Sequence, residues 1–215
     1  LNCVRRITEG TFSIWNWDYG LGTSFINNIS QTLDPFGLFV ILGGVVLGIG
    51  KVRRLLVIAQ ILKIIISALL CRYFLKLFPV SEKAACIGGY LYAFNGYLML
   101  WGQHYLLGTI CIYLLLILIF LEKLIQEFKI RYVAGLGISV AASIIYSYYN
   151  TYMALAFAAI YCILRLLNPN LGMNVKERIK RGCCILGSVI CGVLTGAVML
   201  LPAASYLTSS SSRLD

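Results

Sequence analysis

Seven apolar runs, joined by short polar segments, make up most of this 215-residue chain and constrain its fold more than any other feature. A helix that crosses a membrane needs about 20 mainly apolar residues, and six of the runs fall within the range of roughly 17–25. The first run is shorter and rich in glycine. The runs span residues 35–50, 55–77, 84–101, 105–121, 132–148, 149–167 and 183–201. The sequence therefore predicts an all-α, polytopic helical membrane protein with about six spanning helices and one short interfacial or re-entrant segment.

Composition excludes the main soluble classes. Hydrophobic residues make up 60% of the chain and charged residues 12%, whereas soluble domains are about half apolar and about a quarter charged. The net charge of +10 does not indicate a nucleic-acid partner, because most basic residues lie in short stretches between apolar runs. The eight cysteines form no C-x-x-C motif, and the single histidine is not within ligand spacing of a cysteine pair, so we expect no zinc or redox site.

The boundary between the fifth and sixth runs follows from length. Residues 132–164 contain no charged side chain, and one continuous helix over them would be about 50 Å long. That exceeds the hydrocarbon core of about 30 Å. We therefore expect the chain to turn back at the polar-aromatic residues 146–150, and to do the same at residues 102–104 between the third and fourth runs.

The distribution of Lys and Arg predicts the orientation. If both tight turns face one side, the other side receives eleven basic residues and should be the cytoplasm. These are Arg72, Lys76, Lys83, Lys123, Lys129, Arg131, Arg165, Lys176, Arg178, Lys180 and Arg181. We then expect residues 1–54 to form an extracytoplasmic loop with a short interfacial helix or hairpin, residues 55–203 to form the helical bundle, and residues 204–215 to begin an extracytoplasmic segment. Charge alone leaves open whether residues 35–50 cross the membrane.

Polar side chains are concentrated in residues 10–34. Tryptophan and tyrosine alternate there with glycine, with the amides of Asn16, Asn27, Asn28 and Gln31, and with Asp18 and Asp34. Aromatic rings that stack on C–H faces, together with amides that bind hydroxyls, suit a sugar. The alternative is an interfacial aromatic belt with loop glycines.

Two motifs in this segment, SIWNWDYGLGTSF and LDPFGLF, resemble the first extracytoplasmic loop of the bacterial YfhO family. Three later pieces, AFNGYLMLWGQHYL, YSYYNTYM and LLPAASYLTSSSSRL, agree with that family in order and spacing. The resemblance covers nearly the whole chain. It implies a fold similar to GT-C glycosyltransferases, which move a sugar from a polyprenyl-phosphate carrier on the outer face of the membrane.

The resemblance further implies a multi-pass protein of the bacterial cytoplasmic membrane with its active side outside. Its expected partners are a polyprenyl-phosphate-linked sugar, a cell-envelope acceptor such as teichoic acid, and the lipid bilayer. The chain begins at Leu1, and we expect a first transmembrane helix upstream of it. In related sequences a Gly-Asp dipeptide follows that helix. This dipeptide is absent here, so the main catalytic carboxylate is expected to precede Leu1.

Two acidic residues in the loop are the catalytic candidates. Asp18 lies within the Trp/Asn patch, where a carboxylate suits a general base on the acceptor hydroxyl, a ligand for a divalent cation, or a simple turn cap. No other cofactor is expected. Asp34 precedes Pro35, and this pair is typical of a helix N-cap followed by proline at the first helical position.

The substrate-binding candidates lie in the same patch and along the outer half of the bundle. Lys63 is charged within an apolar run, so it should either extend outward to the surface or meet a negative partner such as the carrier's phosphate. His104 suits phosphate binding or proton transfer, but equally an interfacial turn. The full set comprises Trp15, Asn16, Tyr19, Lys63, Asn95, His104, Asn150 and Tyr152.

Two rival functions remain. A carrier or flippase would bind or move a lipid-linked sugar in the same outer cavity without catalysing a reaction. A subunit of an envelope assembly would also catalyse no reaction. A proton-coupled carrier is disfavoured because no carboxylate lies inside an apolar run, and the four prolines at run ends do not indicate broken helices.

Overall fold

The computed structural model describes residues 2–10, 15–16, 23–24, 34–101 and 107–210, and over these residues the chain is mainly helical. Trp15–Asn16 and Thr23–Ser24 form a short antiparallel pair of strands, β1 and β2. The helices are α1 (Asn2–Glu9), α2 (Pro35–Leu47), α3 (Val52–Leu75), α4 (Glu82–Ala93), α5 (Gly96–Leu100), α6 (Thr109–Gln126), α7 (Ile130–Tyr146), α8 (Tyr148–Leu167) and α9 (Val175–Ser210). The predicted all-α polytopic class is confirmed.

Among the described residues, four helical segments are long and apolar enough to cross a membrane on their own. These four segments, identified by length and hydropathy, are Ile49–Leu75, Thr109–Gln126, Tyr148–Leu167 and Val175–Pro202. The predicted run over residues 84–101 is instead split into α4 and α5, because the Asn95 side chain caps a new helix in the middle of the run. Helix α7 is also shorter than the four segments. The four long segments fit the predicted polytopic class, and the total of about six spanning helices stays a prediction.

The predicted turn between the fifth and sixth runs is confirmed at Ser147. This residue has φ −163° and ψ 103°, outside the helical region, between α7 and α8. Leu136 and Ala158 line the same cavity of about 520 Å³, although a straight helix would separate them by about 33 Å. The α7–α8 segment is therefore a helical hairpin.

Helices α2 and α3 form a second hairpin, and α1 packs against it. A positive φ of 90° at Gly48, a conformation that favours glycine, ends α2 and lets the chain reverse. Gly44 lies at the crossing, where a Cβ would come within 2.8 Å of both Val4 of α1 and Val52 of α3. At 13 residues α2 spans about 20 Å. This length is less than a hydrocarbon core of about 30 Å, and the location of residues 35–50 relative to the membrane stays a prediction.

Helix α9 packs along α7 through a row of small residues one turn apart. Ser188 donates to the Val133 carbonyl at 2.7 Å, and a Cβ on Gly192 would lie 2.7 Å from the Gly137 carbonyl. Gly196 lies against Ile144 in the same way. Contact positions rise together along both helices, so the two are parallel, and small residues allow their backbones to approach closely.

Helix α9 continues through Pro202 to Ser210. Residues 204–210 therefore extend the last helix, and the extracytoplasmic location of residues 204–215 stays a prediction. Pro35 is the first residue of α2, and Pro79 and Pro169 lie between the long helices, so all three are at run ends as expected.

Candidate functional site

The candidate site is a buried polar cluster where α2, α3 and α6 meet. Asp34 is 2% exposed and caps α2, with its Oδ1 accepting a hydrogen bond from the Gly37 N–H at 2.6 Å. Its Oδ2 accepts a second hydrogen bond from the Thr109 hydroxyl at 2.5 Å. The predicted N-cap and first-position proline are therefore confirmed, but the carboxylate also joins α2 to the start of α6.

Lys63 completes an ion pair within this cluster. Its Nζ lies 4.0 Å from Asp34 Oδ2, and each side chain is at most 3% exposed. The same Nζ lies 5.3 Å from the centre of the Phe36 ring, within the range of a cation–π contact. Lys63 therefore does not extend outward to the surface, as one interpretation expected. It meets a negative partner, which is a protein carboxylate.

Two further polar side chains lie on the same face of α3. The carboxamide oxygen and nitrogen of Gln60 and the hydroxyl of Ser67 are buried and have no hydrogen-bond partner among the described residues. Residues 60, 63 and 67 share a helix face because they are three and four positions apart. Buried polar atoms of this kind call for a partner, such as ordered water or a ligand.

Aromatic side chains form the wall of the cluster towards the α7–α8 hairpin. The rings of Tyr113 and Tyr146 are 5.7 Å apart, and both side chains are buried. Tyr146 precedes the hairpin turn at Ser147, and it interacts with Thr109. The buried cluster therefore lies at the end of the bundle that carries this turn.

The remaining described candidates are placed differently. The Asn95 carboxamide caps α5, accepting from the Leu98 N–H at 2.8 Å and donating to the Tyr92 carbonyl at 2.7 Å. Asn150 donates to the Ser147 hydroxyl at 3.1 Å and so supports the hairpin turn. Tyr152 is 74% exposed on α8. The structure thus does not bring these three side chains into the Asp34–Lys63 cluster.

Several predicted site residues lie outside the described residues, namely Asp18, Tyr19 and His104. The backbone of Trp15 and Asn16 forms strand β1. The described ranges hold no group of three His, Cys, Asp or Glu side chains that could bind a metal ion. A divalent cation at Asp18 therefore stays a prediction.

A second buried ion pair was missed by the sequence reasoning. Glu122 is fully buried in α6 and pairs with Arg165 of α8, whose Nε lies 2.9 Å from Glu122 Oε2. The Tyr161 hydroxyl and the Gln126 amide also donate to this carboxylate, at 2.5 and 2.8 Å. Arg181 donates to the Ile125 carbonyl at the same end. The sequence could have suggested part of this cluster, because Tyr161 and Arg165 are four residues apart and therefore lie on one face of α8.

These features show that the chain is a polytopic helical membrane protein. It has one buried ion pair towards each end of its bundle. The family model described as bacterial membrane protein YfhO matches residues 2–214. The chain therefore belongs to the YfhO family of bacterial membrane proteins. No curated protein and no solved structure matches it.

Proposed function

We propose that this YfhO-family protein is a membrane glycosyltransferase that transfers a sugar from a polyprenyl-phosphate carrier to a cell-envelope acceptor such as teichoic acid. The observation that carries the proposal is the buried Asp34–Lys63 pair, with the Thr109 hydroxyl on the same carboxylate. A buried ion pair is costly to form and is weak evidence for stability alone. Ionisable groups at membrane depth more often serve substrate handling.

The reaction needs a base and a positive charge, and the chain offers candidates for both. A carboxylate takes the proton of the acceptor hydroxyl, and the oxygen of that hydroxyl forms a bond to the anomeric carbon. The bond from that carbon to the carrier phosphate breaks, and the leaving phosphate takes the electron pair. Lys63 stabilises this phosphate, and Asp34 holds Lys63 in place through their contact at 4.0 Å. Asp18 is the proposed base or cation ligand.

The proposed location is the outer face of the bacterial cytoplasmic membrane. Residues from the predicted cytoplasmic set gather at the Glu122 end, where Arg181 bonds to the Ile125 carbonyl and Lys123 lies over the Tyr73 and Tyr132 rings. The Asp34–Lys63 pair lies towards the other end, beside the start of α6. The positive-inside rule then supports an outward-facing site.

The test is transfer of a labelled sugar from a polyprenyl-phosphate donor to an acceptor polymer by the full chain in detergent. We expect Lys63→Met to lower transfer at least about 100-fold, as for loss of one transition-state contact. Lys123→Met is the matched control, because Lys123 packs on rings at the opposite end and should keep near-normal transfer. Melting curves of both variants check folding. Normal transfer by a folded Lys63→Met variant would remove Lys63 from the mechanism.

One observation favours a second candidate, a carrier for lipid-linked sugars. The apolar run over residues 84–101 is interrupted without proline at Asn95, and discontinuous helices are typical of secondary transporters. The assay in detergent separates the two functions, since a carrier would move its substrate across vesicles but would catalyse no transfer without a membrane. We favour the enzyme because Lys63 offers the positive charge that the leaving phosphate needs, held in place by Asp34.

A further inference from the structure

Five basic side chains gather around the crossing of α1 and the α2–α3 hairpin, and we call them the basic tip: Arg5, Arg6, Lys51, Arg53 and Arg54. Packing brings their two chain segments together. Val4, 1% exposed, and Val52, 2% exposed, both contact Gly44 at the crossing. The basic residues flank these two valines in sequence, so they surround one small apolar contact.

Four charges of the basic tip, those outside Arg6, are poorly balanced by acidic side chains of the described residues. Glu9 is the one carboxylate on α1, and α2 together with residues 48–54 contains none. Asp34, at the start of α2, is buried and paired with Lys63. Within the described part of the chain, Arg5, Lys51, Arg53 and Arg54 are exposed, and no carboxylate lies at ion-pair distance from them.

Exposed apolar side chains lie beside these charges at the end of the hairpin. Val46 is 81% exposed and Leu47 is 59% exposed, and both directly precede the turn at Gly48. Ile49 follows that turn and is also exposed. A polyanion in water would match the charges but would leave these side chains in water. A lipid surface suits both the basic and the apolar side chains, because its phosphates bind the cations and its acyl chains surround the apolar groups.

We propose that the basic tip binds the phosphate groups of anionic phospholipids while Val46 and Leu47 insert among the acyl chains. This interaction anchors the Gly48 end of the α2–α3 hairpin at a lipid surface, at the opposite end of α2 from Asp34. It also accounts for five basic residues that lie apart from the eleven in the predicted cytoplasmic set. The proposal is independent of glycosyl transfer.

The test is photo-crosslinking from the tip itself. The full chain, with benzoyl-phenylalanine in place of Leu47, is reconstituted in vesicles of phosphatidylglycerol and phosphatidylcholine, and lipid adducts are counted by mass spectrometry. Each cation near a lipid surface contributes about 1 kcal/mol, or about five-fold in affinity. Arg53→Gln with Arg54→Gln should therefore lower the preference for phosphatidylglycerol about 25-fold. Lys176→Gln with Lys180→Gln removes the same charge from exposed positions elsewhere and should leave the preference unchanged.

Three outcomes would overturn the proposal. Equal adducts with both lipids, insensitive to the arginine pair, would show no recognition of the headgroup. A lack of lipid adducts would mean that protein covers the tip. Loss of poly(glycerol phosphate) binding in the Arg53→Gln, Arg54→Gln variant, with phosphatidylglycerol adducts unchanged, would assign the tip to a soluble polyanion instead.

Discussion

The Thr109 hydroxyl donates a hydrogen bond of 2.5 Å to Asp34, a residue 75 positions earlier in the chain. This contact joins the first residue of α6 to the cap of α2. The carboxylate also faces Lys63 of α3. One buried side chain thereby fixes the relative positions of three helices.

We expect Thr109→Val to lower stability by about 1–3 kcal/mol, because it leaves a buried carboxylate oxygen without its donor while keeping the side-chain shape. Thr109→Ser keeps the hydroxyl and should restore most of the loss. Melting temperatures in detergent measure both variants. Equal melting of the valine and serine variants would show that the hydrogen bond contributes nothing.

The Asp34–Lys63 pair can be tested by a double-mutant cycle. Asn is as good an N-cap as Asp, so Asp34→Asn keeps the cap of α2, removes the charge, and puts an amide donor in place of the oxygen that accepts from Thr109. It leaves Lys63 buried without its counter-charge, and we expect a loss of about 3–5 kcal/mol. Adding Lys63→Gln removes the second charge and should recover most of that loss.

Sugar transfer should not recover in the double variant. Stability and activity measured on the same samples would then separate the structural role of the pair from its catalytic role. Additive effects of the two substitutions on stability would show that the side chains do not interact.

We expect Glu122→Gln to destabilise the opposite end of the bundle by about 3–5 kcal/mol, because Arg165 loses its buried counter-charge. Tyr161→Phe removes one donor to the same carboxylate and should cost about 1 kcal/mol. The matched control is Glu127→Gln, which breaks an exposed pair with Lys129 and should cost less than about 1 kcal/mol. Denaturant unfolding of the three variants ranks them. A Glu122 variant no worse than the Glu127 variant would contradict the buried-pair interpretation.

The contact between α7 and α9 predicts opposite effects for two glycines of one helix. A Cβ at residue 192 would lie 2.7 Å from the Gly137 carbonyl and 2.8 Å from Val140 Cβ. Gly192→Ala should therefore separate the helices and cost about 1–3 kcal/mol. A Cβ at Gly187 meets nothing within 4 Å, so Gly187→Ala should be neutral or stabilise by up to about 1 kcal/mol. Equal losses in thermal unfolding would indicate a general intolerance of alanine in α9.

Much of the fold could be predicted because it depends on local sequence. Apolar length indicated the spanning segments, the lack of charge over 132–164 indicated the hairpin, and the Asp34-Pro35 pair indicated the start of α2. The break at Asn95 was missed because a single capping side chain interrupts an otherwise continuous apolar run. The continuation of α9 was missed because Pro202 is tolerated inside the helix.

The candidate site was only partly predictable, because its pairs join residues far apart in the chain. Sequence identified Asp34 and Lys63 separately, each for a local reason, but periodicity does not reveal that they meet. Thr109 gave no signal, since a threonine at the start of an apolar run is ordinary. Gln60 was likewise missed, because its unsatisfied amide becomes notable only once burial is known.

The parallel contact between α7 and α9 has a consequence for biogenesis. The ribosome completes the α7–α8 hairpin before it makes Gly192, so the strip of α7 around Gly137 and Val140 enters the membrane without the helix that will cover it. The strip therefore faces lipid until residues 188–196 have been made and can pack against it.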